Sequence, residues 1–323
     1  MTHSETIIGG PLPLELHTGE AYHTGTLQLN SARYALEYVL RIKPCSKIYI
    51  PAYICDSVLQ PIRRLGINYA FYRIDEHFRP LLNFKSEADA ALLVVNYFGL
   101  HDVCIRNIRA HSFRVIVDNT QAFFAHPQPE TDTIYSPRKF FGVPDGGYLY
   151  TDSDKRISLE RECSSYRCDA LLTAIDSGKA AAVSLFSENE ADLDRCGMRA
   201  MSLLTQALLR GIDYERVRAQ RNANFKQLDA ALSSFNELRW QTDSLRGPLC
   251  YPLLIKEGHR LKTDLLARQI YTDDFWDDVL TRVSPGSFEA RLAEDLVALP
   301  VDQHCEEADI ERVIQAVKAC ICP

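Results

Sequence analysis

The segments Asp118-Asn119-Thr120-Gln121, Tyr135-Ser136-Pro137-Arg138-Lys139-Phe140-Phe141-Gly142 and Asp145-Gly146-Gly147-Tyr148-Leu149-Tyr150 decide how this chain is read. The apolar stretch Val115-Ile116-Val117 leads into the first of them and reads as a strand ending at Asp118. Thr131 to Tyr135 and Tyr148 to Thr151 read as two more strands, one on each side of Lys139. A carboxylate at a strand end, a Ser-x-x-Lys turn and a glycine pair entering the next strand thus fall close together in the chain.

Further toward the N-terminus, Lys47-Ile48-Tyr49-Ile50 is a short strand stopped by Pro51, and Tyr69 to Ile74 and Ala90 to Val95 are others. Residues 33 to 42 place Ala35, Leu36, Val39 and Leu40 on one helical face. Asp56 is read as the N-cap of a helix running to Leu65, with Gly66 as its stop. Strands separated by helices predict βαβ units and an α/β fold with a mainly parallel sheet. Ligands of such sheets gather at the carboxyl ends of the strands, where Asp118 is expected.

From Arg199 the pattern changes to long helix, Met201 to Leu209 and Tyr214 to Leu232. Tyr251 to Ile255 and Leu296 to Val301 then read as strands around a middle helix. A final helix starts near Glu306, with Ile310, Val313, Ile314 and Val317 on one face. This organisation predicts a large ligand-binding domain over 1–215 and a small C-terminal α/β domain over 216–323, joined through helix.

Composition narrows the function classes. The 323 residues are 46% hydrophobic and 24% charged, as in an ordinary globular protein, and the net charge of −7 argues against a general nucleic-acid binder. The ten cysteines are scattered without a C-x-x-C pair, which predicts reduced thiols and no metal site. Met1 to Thr6 has no basic or apolar region of the signal-peptide kind, and the run Ala90 to Val95 is far too short to span a bilayer. The expectation is a soluble cytoplasmic protein with no membrane partner.

The residues around Lys139 have the chemistry that a pyridoxal phosphate (PLP) site needs. Lys139 offers an amine for a Schiff base with the cofactor aldehyde, which works from a partly desolvated pocket. Asp118 can hold the pyridine nitrogen protonated, so that the ring drains electrons from a carbanion; a plain turn aspartate is the alternative. Gln121 could reach the same ring or begin a helix. Ser136 could cap the phosphate or serve as a turn serine before Pro137. The backbone amides of Ser31, Ala32 and Arg33 open the first helix and would favour an anion, although Asn30 or Ser31 could be an ordinary N-cap. Tyr53 could stack on the ring or simply pack. Arg138 could bind a substrate anion or pair with a surface acid. Gly146-Gly147 permits close backbone approach.

Together these residues resemble the DegT/StrS-type PLP-dependent sugar aminotransferases of the aspartate aminotransferase superfamily. The matching stretches are Leu29 to Leu36, Pro51-Ala52-Tyr53, Asn96-Tyr97-Phe98-Gly99, Asp118 to Gln121, the lysine turn and Leu299-Pro300-Val301-Asp302. The resemblance implies the aspartate aminotransferase-type fold, with a large mostly parallel sheet domain and a small C-terminal α/β domain, in a homodimer. It gives Lys139 as the Schiff-base lysine, Asp118 facing the ring nitrogen, Gln121 against the ring or its hydroxyl, and Ser31 to Arg33 with Ser136 around the phosphate. The implied reaction moves an amino group from a donor such as glutamate to a keto-sugar or related carbonyl acceptor, a nucleotide-sugar among the options, in amino-sugar and polysaccharide biosynthesis.

Three departures stand out. Asn30-Ser31-Ala32-Arg33 replaces the glycine-threonine pair of many members, Ser136 lies closer to the lysine than the usual serine, and the chain is short, which puts loops enclosing a nucleotide-sugar in question. Two other readings keep part of the site: a PLP-dependent lyase or other carbanion chemistry on an amino acid, and a non-catalytic PLP-fold regulator or binding protein. The intact Lys139 and Asp118 count against the second.

Overall fold

A computed structural model describes residues 8–84, 87, 89–102, 105, 108 and 113–321. Met1 to Thr6, Cys104 and Cys322, all weighed in the sequence, lie outside the described residues. Ten strands are named among the described residues: β1 (Leu27–Leu29), β2 (Lys47–Pro51), β3 (Asn68–Ile74), β4 (Pro80–Leu81), β5 (Ala90–Val95), β6 (Arg114–Asp118), β7 (Asp132–Tyr135), β8 (Gly147–Tyr150), β9 (Cys250–Leu254) and β10 (Leu296–Pro300). The α-helices are α1 (Ala32–Ile42), α2 (Leu59–Arg64), α3 (Asp169–Ser177), α4 (Lys179–Arg195), α5 (Leu203–Arg210), α6 (Tyr214–Leu232), α7 (Gly258–Ala267), α8 (Phe288–Asp295) and α9 (Glu307–Ile321).

Eight strands form one sheet in the order β1-β8-β7-β6-β5-β2-β3-β4. The strands β7, β6, β5, β2 and β3 run parallel, and β8, β1 and β4 are antiparallel to their neighbours. Every residue of β5 is buried, as expected of a central strand covered on both faces. After β2 the chain steps outward to β3 and then crosses back to β5. The ends of β2, β5, β6 and β7 therefore flank the point where strand order reverses, which is where open sheets of this kind leave a crevice.

The expected strand over Ala90 to Val95 and the helix over Tyr214 to Leu232 are found at those bounds. The helix read from Asp56 to Leu65 is corrected. A 3-10 turn spans Asp56–Val58 with Cys55, not Asp56, at the cap position, and α2 follows. Asp56 is instead taken up by Arg282, at 3.0 Å. Gly66 ends the element with φ +64°, where a residue without Cβ is at ease.

The buried apolar residues fall into three groups that cross the chain order, two of them large. One fills the large sheet around β2, β5 and α1. The other gathers Phe225, Leu228 and Leu232 of α6 with β9, β10, α7 and α9, including the four apolar residues read on the last helix. The first turns of α6 belong elsewhere. Tyr214 and Val217 pack into an aromatic cluster with Phe123, Phe140 and Tyr148, so α6 is shared between the sheet and the C-terminal layer.

Candidate functional site

Asp118 is the last residue of β6, and its carbonyl accepts from Asn96 N at 3.0 Å while Asn119 N donates to Ile134 O at 2.9 Å. These bonds tie the ends of β5, β6 and β7 together, so the carboxylate projects from a fixed point. It is 4% exposed and accepts from Thr120 N at 2.8 Å. Burial pushes its pKa above the usual carboxylate range, and the Lys139 charge and the hydrogen bonds from Thr120 offset only part of that.

Lys139 closes a 3-10 turn, Pro137–Lys139, that starts at Ser136 directly after β7. Phe140 and Phe141, both buried, lock the following residues into the aromatic cluster. Gln303 Nε2 donates to Phe140 O at 2.8 Å, and the Arg221 guanidinium lies 4.7 Å from the Phe140 ring centre. With its neighbours fixed on both sides, Lys139 is exposed, and its Nζ donates to Thr120 Oγ1 at 3.4 Å. The desolvated pocket expected around this amine is therefore absent in the single chain. The expected proximity to Asp118 is present, with one threonine side chain between the two charges.

Gln121 is 1% exposed. Its Oε1 accepts from Phe98 N at 2.8 Å and so holds Phe98 at φ +58°, a left-handed conformation unusual for an aromatic residue. The Nε2 of the same side chain is buried without a partner among the described residues. A buried donor without an acceptor costs about 1–3 kcal/mol.

Ser31 is the N-cap of α1, its hydroxyl accepting from Tyr34 N at 3.3 Å; that is the ordinary-cap alternative, and it leaves the amides of Ala32 and Arg33 at the helix start. The glycine pair brings this helix start to the lysine turn. Gly146 N donates to Asn30 O at 2.8 Å, and a Cβ on Gly147 would lie 2.3 Å from Ser31 C and 2.5 Å from Ala32 N. The close approach anticipated for Gly146-Gly147 is thus made by α1. Asp145, fully buried, anchors the pair by accepting from Ser202 N and Ser164 Oγ, each at 2.9 Å. Ser136 is buried at the cap of the lysine turn and makes no side-chain capping bond.

Charge around the lysine is mixed. Arg138 pairs with Glu190 and Arg33 with Asp194, both acids on α4. Arg138 therefore follows its surface-acid alternative in this chain. Burial raises the Glu190 pKa, but Arg138, Arg33 and Lys139 outweigh it and hold the carboxyl below its usual range. Tyr53 is fully buried between Tyr97 and Trp276, with ring centres 5.6 and 4.9 Å away, which supports its packing alternative.

Thr120, Glu190 and Asp273 were not singled out in the sequence. Thr120 lies between two residues that were, and its position two residues beyond a strand-end aspartate was the available signal. Glu190 and Asp273 interact electrostatically with the lysine only because tertiary packing brings their elements toward it, which no local pattern announces.

The fold is of the aspartate aminotransferase type, the large mostly parallel sheet with a C-terminal α/β layer that the sequence implied. Among solved structures the chain is similar to the aminotransferase TlmJ from Streptoalloteichus hindustanus, at 16% identity and TM-score 0.65, over 91% of this chain and 85% of that one. It is also similar to a DegT/DnrJ/EryC1/StrS aminotransferase from Brucella abortus, at 15% identity and TM-score 0.63, over 94% and 87%. PseC from Helicobacter pylori, an aminotransferase of pseudoaminic acid biosynthesis, matches at 13% identity and TM-score 0.61, over 91% and 86%. No family model and no curated protein matches the chain. No helix among the described residues is long and apolar enough to cross a membrane.

Proposed function

We propose that this chain is a PLP-dependent aminotransferase that takes an amino group from a donor such as glutamate and delivers it to a keto-sugar or related carbonyl acceptor. The observation that carries the reading is the set Lys139, Thr120, Asp118 and the partnerless Gln121 Nε2 at the carboxyl ends of parallel strands. The neighbouring solved structures, aminotransferases on the same fold, support the choice of reaction.

The residues present fit the cofactor. Lys139 would hold it through its amine, Asp118 through the ring nitrogen, and Gln121 Nε2 through a ring oxygen. The amides of Ala32 and Arg33, with the Ser136 hydroxyl, would hold its phosphate. PLP bound there supplies an electron sink for a substrate carbanion. Lys139 Nζ is the base that carries a proton to and from the substrate carbon, and the Thr120 hydroxyl steadies it. The fixed charge of Asp118 favours a protonated ring nitrogen.

The reading includes the domain division at 215/216 and a cytoplasmic homodimer. The α3–α4 hairpin exposes Leu172, Ile175, Val183 and Phe186, apolar surface that a second subunit would cover along with the open Lys139. The test is the visible absorption of protein loaded with PLP, before and after glutamate. Loss of the band with formation of pyridoxamine phosphate is expected. A band that glutamate leaves untouched would contradict transamination.

A further inference from the structure

Resting on that reading, we propose that Arg221 is a positioning residue of the site. Its guanidinium holds the backbone next to Lys139 and the backbone that braces Gln121 in one frame, so that both side chains meet the cofactor together.

Arg221 lies on α6 and is 2% exposed. Segments from three distant parts of the chain converge on it. Its guanidinium carbon lies 4.7 Å from the ring centre of Phe140, the residue directly after Lys139. Its Nε donates to Gln303 Oε1 at 3.0 Å, and the Nε2 of that glutamine donates to Phe140 O at 2.8 Å. Phe140 is thus held at both its ring and its carbonyl, one peptide away from the reactive lysine. On the other side, Arg221 Nη1 donates to Pro248 O at 3.1 Å and to Leu249 O at 3.2 Å. Leu249 N donates to Phe98 O at 2.9 Å, and Phe98 N to Gln121 Oε1 at 2.8 Å. An unbroken line of contacts therefore runs from the lysine turn through Arg221 to the Gln121 side chain.

Two neighbours on α6 seat the same segments independently of Arg221. Asn222 Oδ1 accepts from Gly247 N at 2.8 Å, ahead of β9. Asn224 Nδ2 donates to the carbonyls of Asp302 and Cys305, each at 3.1 Å, beyond β10. What Arg221 adds is the link to Phe140, and it does so at a cost. The guanidinium makes no ion pair among the described residues, and its hydrogen-bond partners are neutral. Burial pulls its pKa down to about 10, which the attraction of Asp302 only partly offsets. A buried cation without an acid does little for the stability of a fold. Its rigid fork of donors does, however, orient several acceptors at once.

The test adds PLP to full-length, cofactor-free protein at a temperature where the variants are folded. Two signals are followed: the rate at which the visible band of the Lys139 adduct appears, and the circular dichroism of that band, which reports how the bound ring is oriented. Arg221→Ala should slow the adduct on the order of tenfold and weaken the dichroism per bound cofactor, because a small displacement of a reacting group is enough for that. Dilute guanidinium, which returns the same fork of donors to the vacated space, should restore both signals. Methylammonium, a cation without the fork, should not. Gln303→Leu, a second variant that leaves the buried charge in place, should lose part of both signals, and it decides the matter if Arg221→Ala does not fold. Wild-type rate and dichroism in either variant overturn the assignment, as does a defect that guanidinium leaves unchanged or that methylammonium repairs equally. Each of these results leaves the aminotransferase reading standing. A wild type that forms no absorbing adduct with PLP through Lys139 overturns both.

Discussion

Lys139 and Thr120 meet beyond the ends of the parallel strands β6 and β7, the lysine Nζ donating to the threonine Oγ1 at 3.4 Å. Thr120 in turn hydrogen-bonds Asp118, so one neutral side chain separates the amine from a fully buried carboxylate. The separation matters because a direct ion pair would engage the amine, whereas a hydroxyl steadies it and leaves it free to react.

Replacing Asp118 by Asn should separate function from stability. Burial raises the carboxyl pKa in the folded protein, so its contribution to stability is present below the unfolded carboxylate range and is lost as pH rises through the folded value. Cofactor-free Asp118→Asn should therefore melt at a higher temperature than wild type at pH 7. The gap should close at acid pH, where the aspartate is neutral. Turnover of the loaded enzyme should fall on the order of a hundredfold. Calorimetry across pH and steady-state kinetics check the two halves.

Gly147 is the point where β8 meets the start of α1. Because an added Cβ would lie 2.3 Å from backbone of Ser31, neither side can yield by a rotamer change. Gly147→Ala should cost about 1–3 kcal/mol, as overpacking does. It should also weaken the affinity for pyridoxal phosphate more than that for pyridoxal, since the helix start is displaced. Denaturant titration and a comparison of the two ligands measure both effects.

His23 gives the chain a specific acid sensitivity. Its ring is 2% exposed, bonded to Phe123 O at 2.9 Å and to Tyr150 Oη at 3.1 Å, and burial holds its pKa down to about 4. The unfolded chain takes up this proton below about pH 6.5 and the folded chain only near pH 4, so stability falls across that window as pH drops. The loss by pH 4 should amount to about 3 kcal/mol. His23→Gln should flatten this part of the stability profile, and melting curves between pH 7 and 4 show whether it does.

Much of the site was legible because it is local. Asp118 ends a run of apolar residues, Lys139 follows the next strand within one turn, and Gly146-Gly147 opens another, so strand periodicity put Asp118 at a strand end and the other two close to it in the chain. The α3–α4 hairpin went unread for a physical reason. Val183 and Phe186 are exposed rather than aligned on a buried stripe, so no helical periodicity marked it. The three-residue β1 is too short for a period to register. Asp273 and Glu190 depend on how distant elements dock, and Asp56 was misread because Arg282, far along the chain, takes the carboxylate that an N-cap would need.

The reading stands or falls on which amine bonds the cofactor. Protein loaded with PLP, reduced with borohydride and mapped by peptide mass spectrometry should carry the pyridoxyl group on Lys139. A label on a different lysine, or no stable label at all, would contradict it.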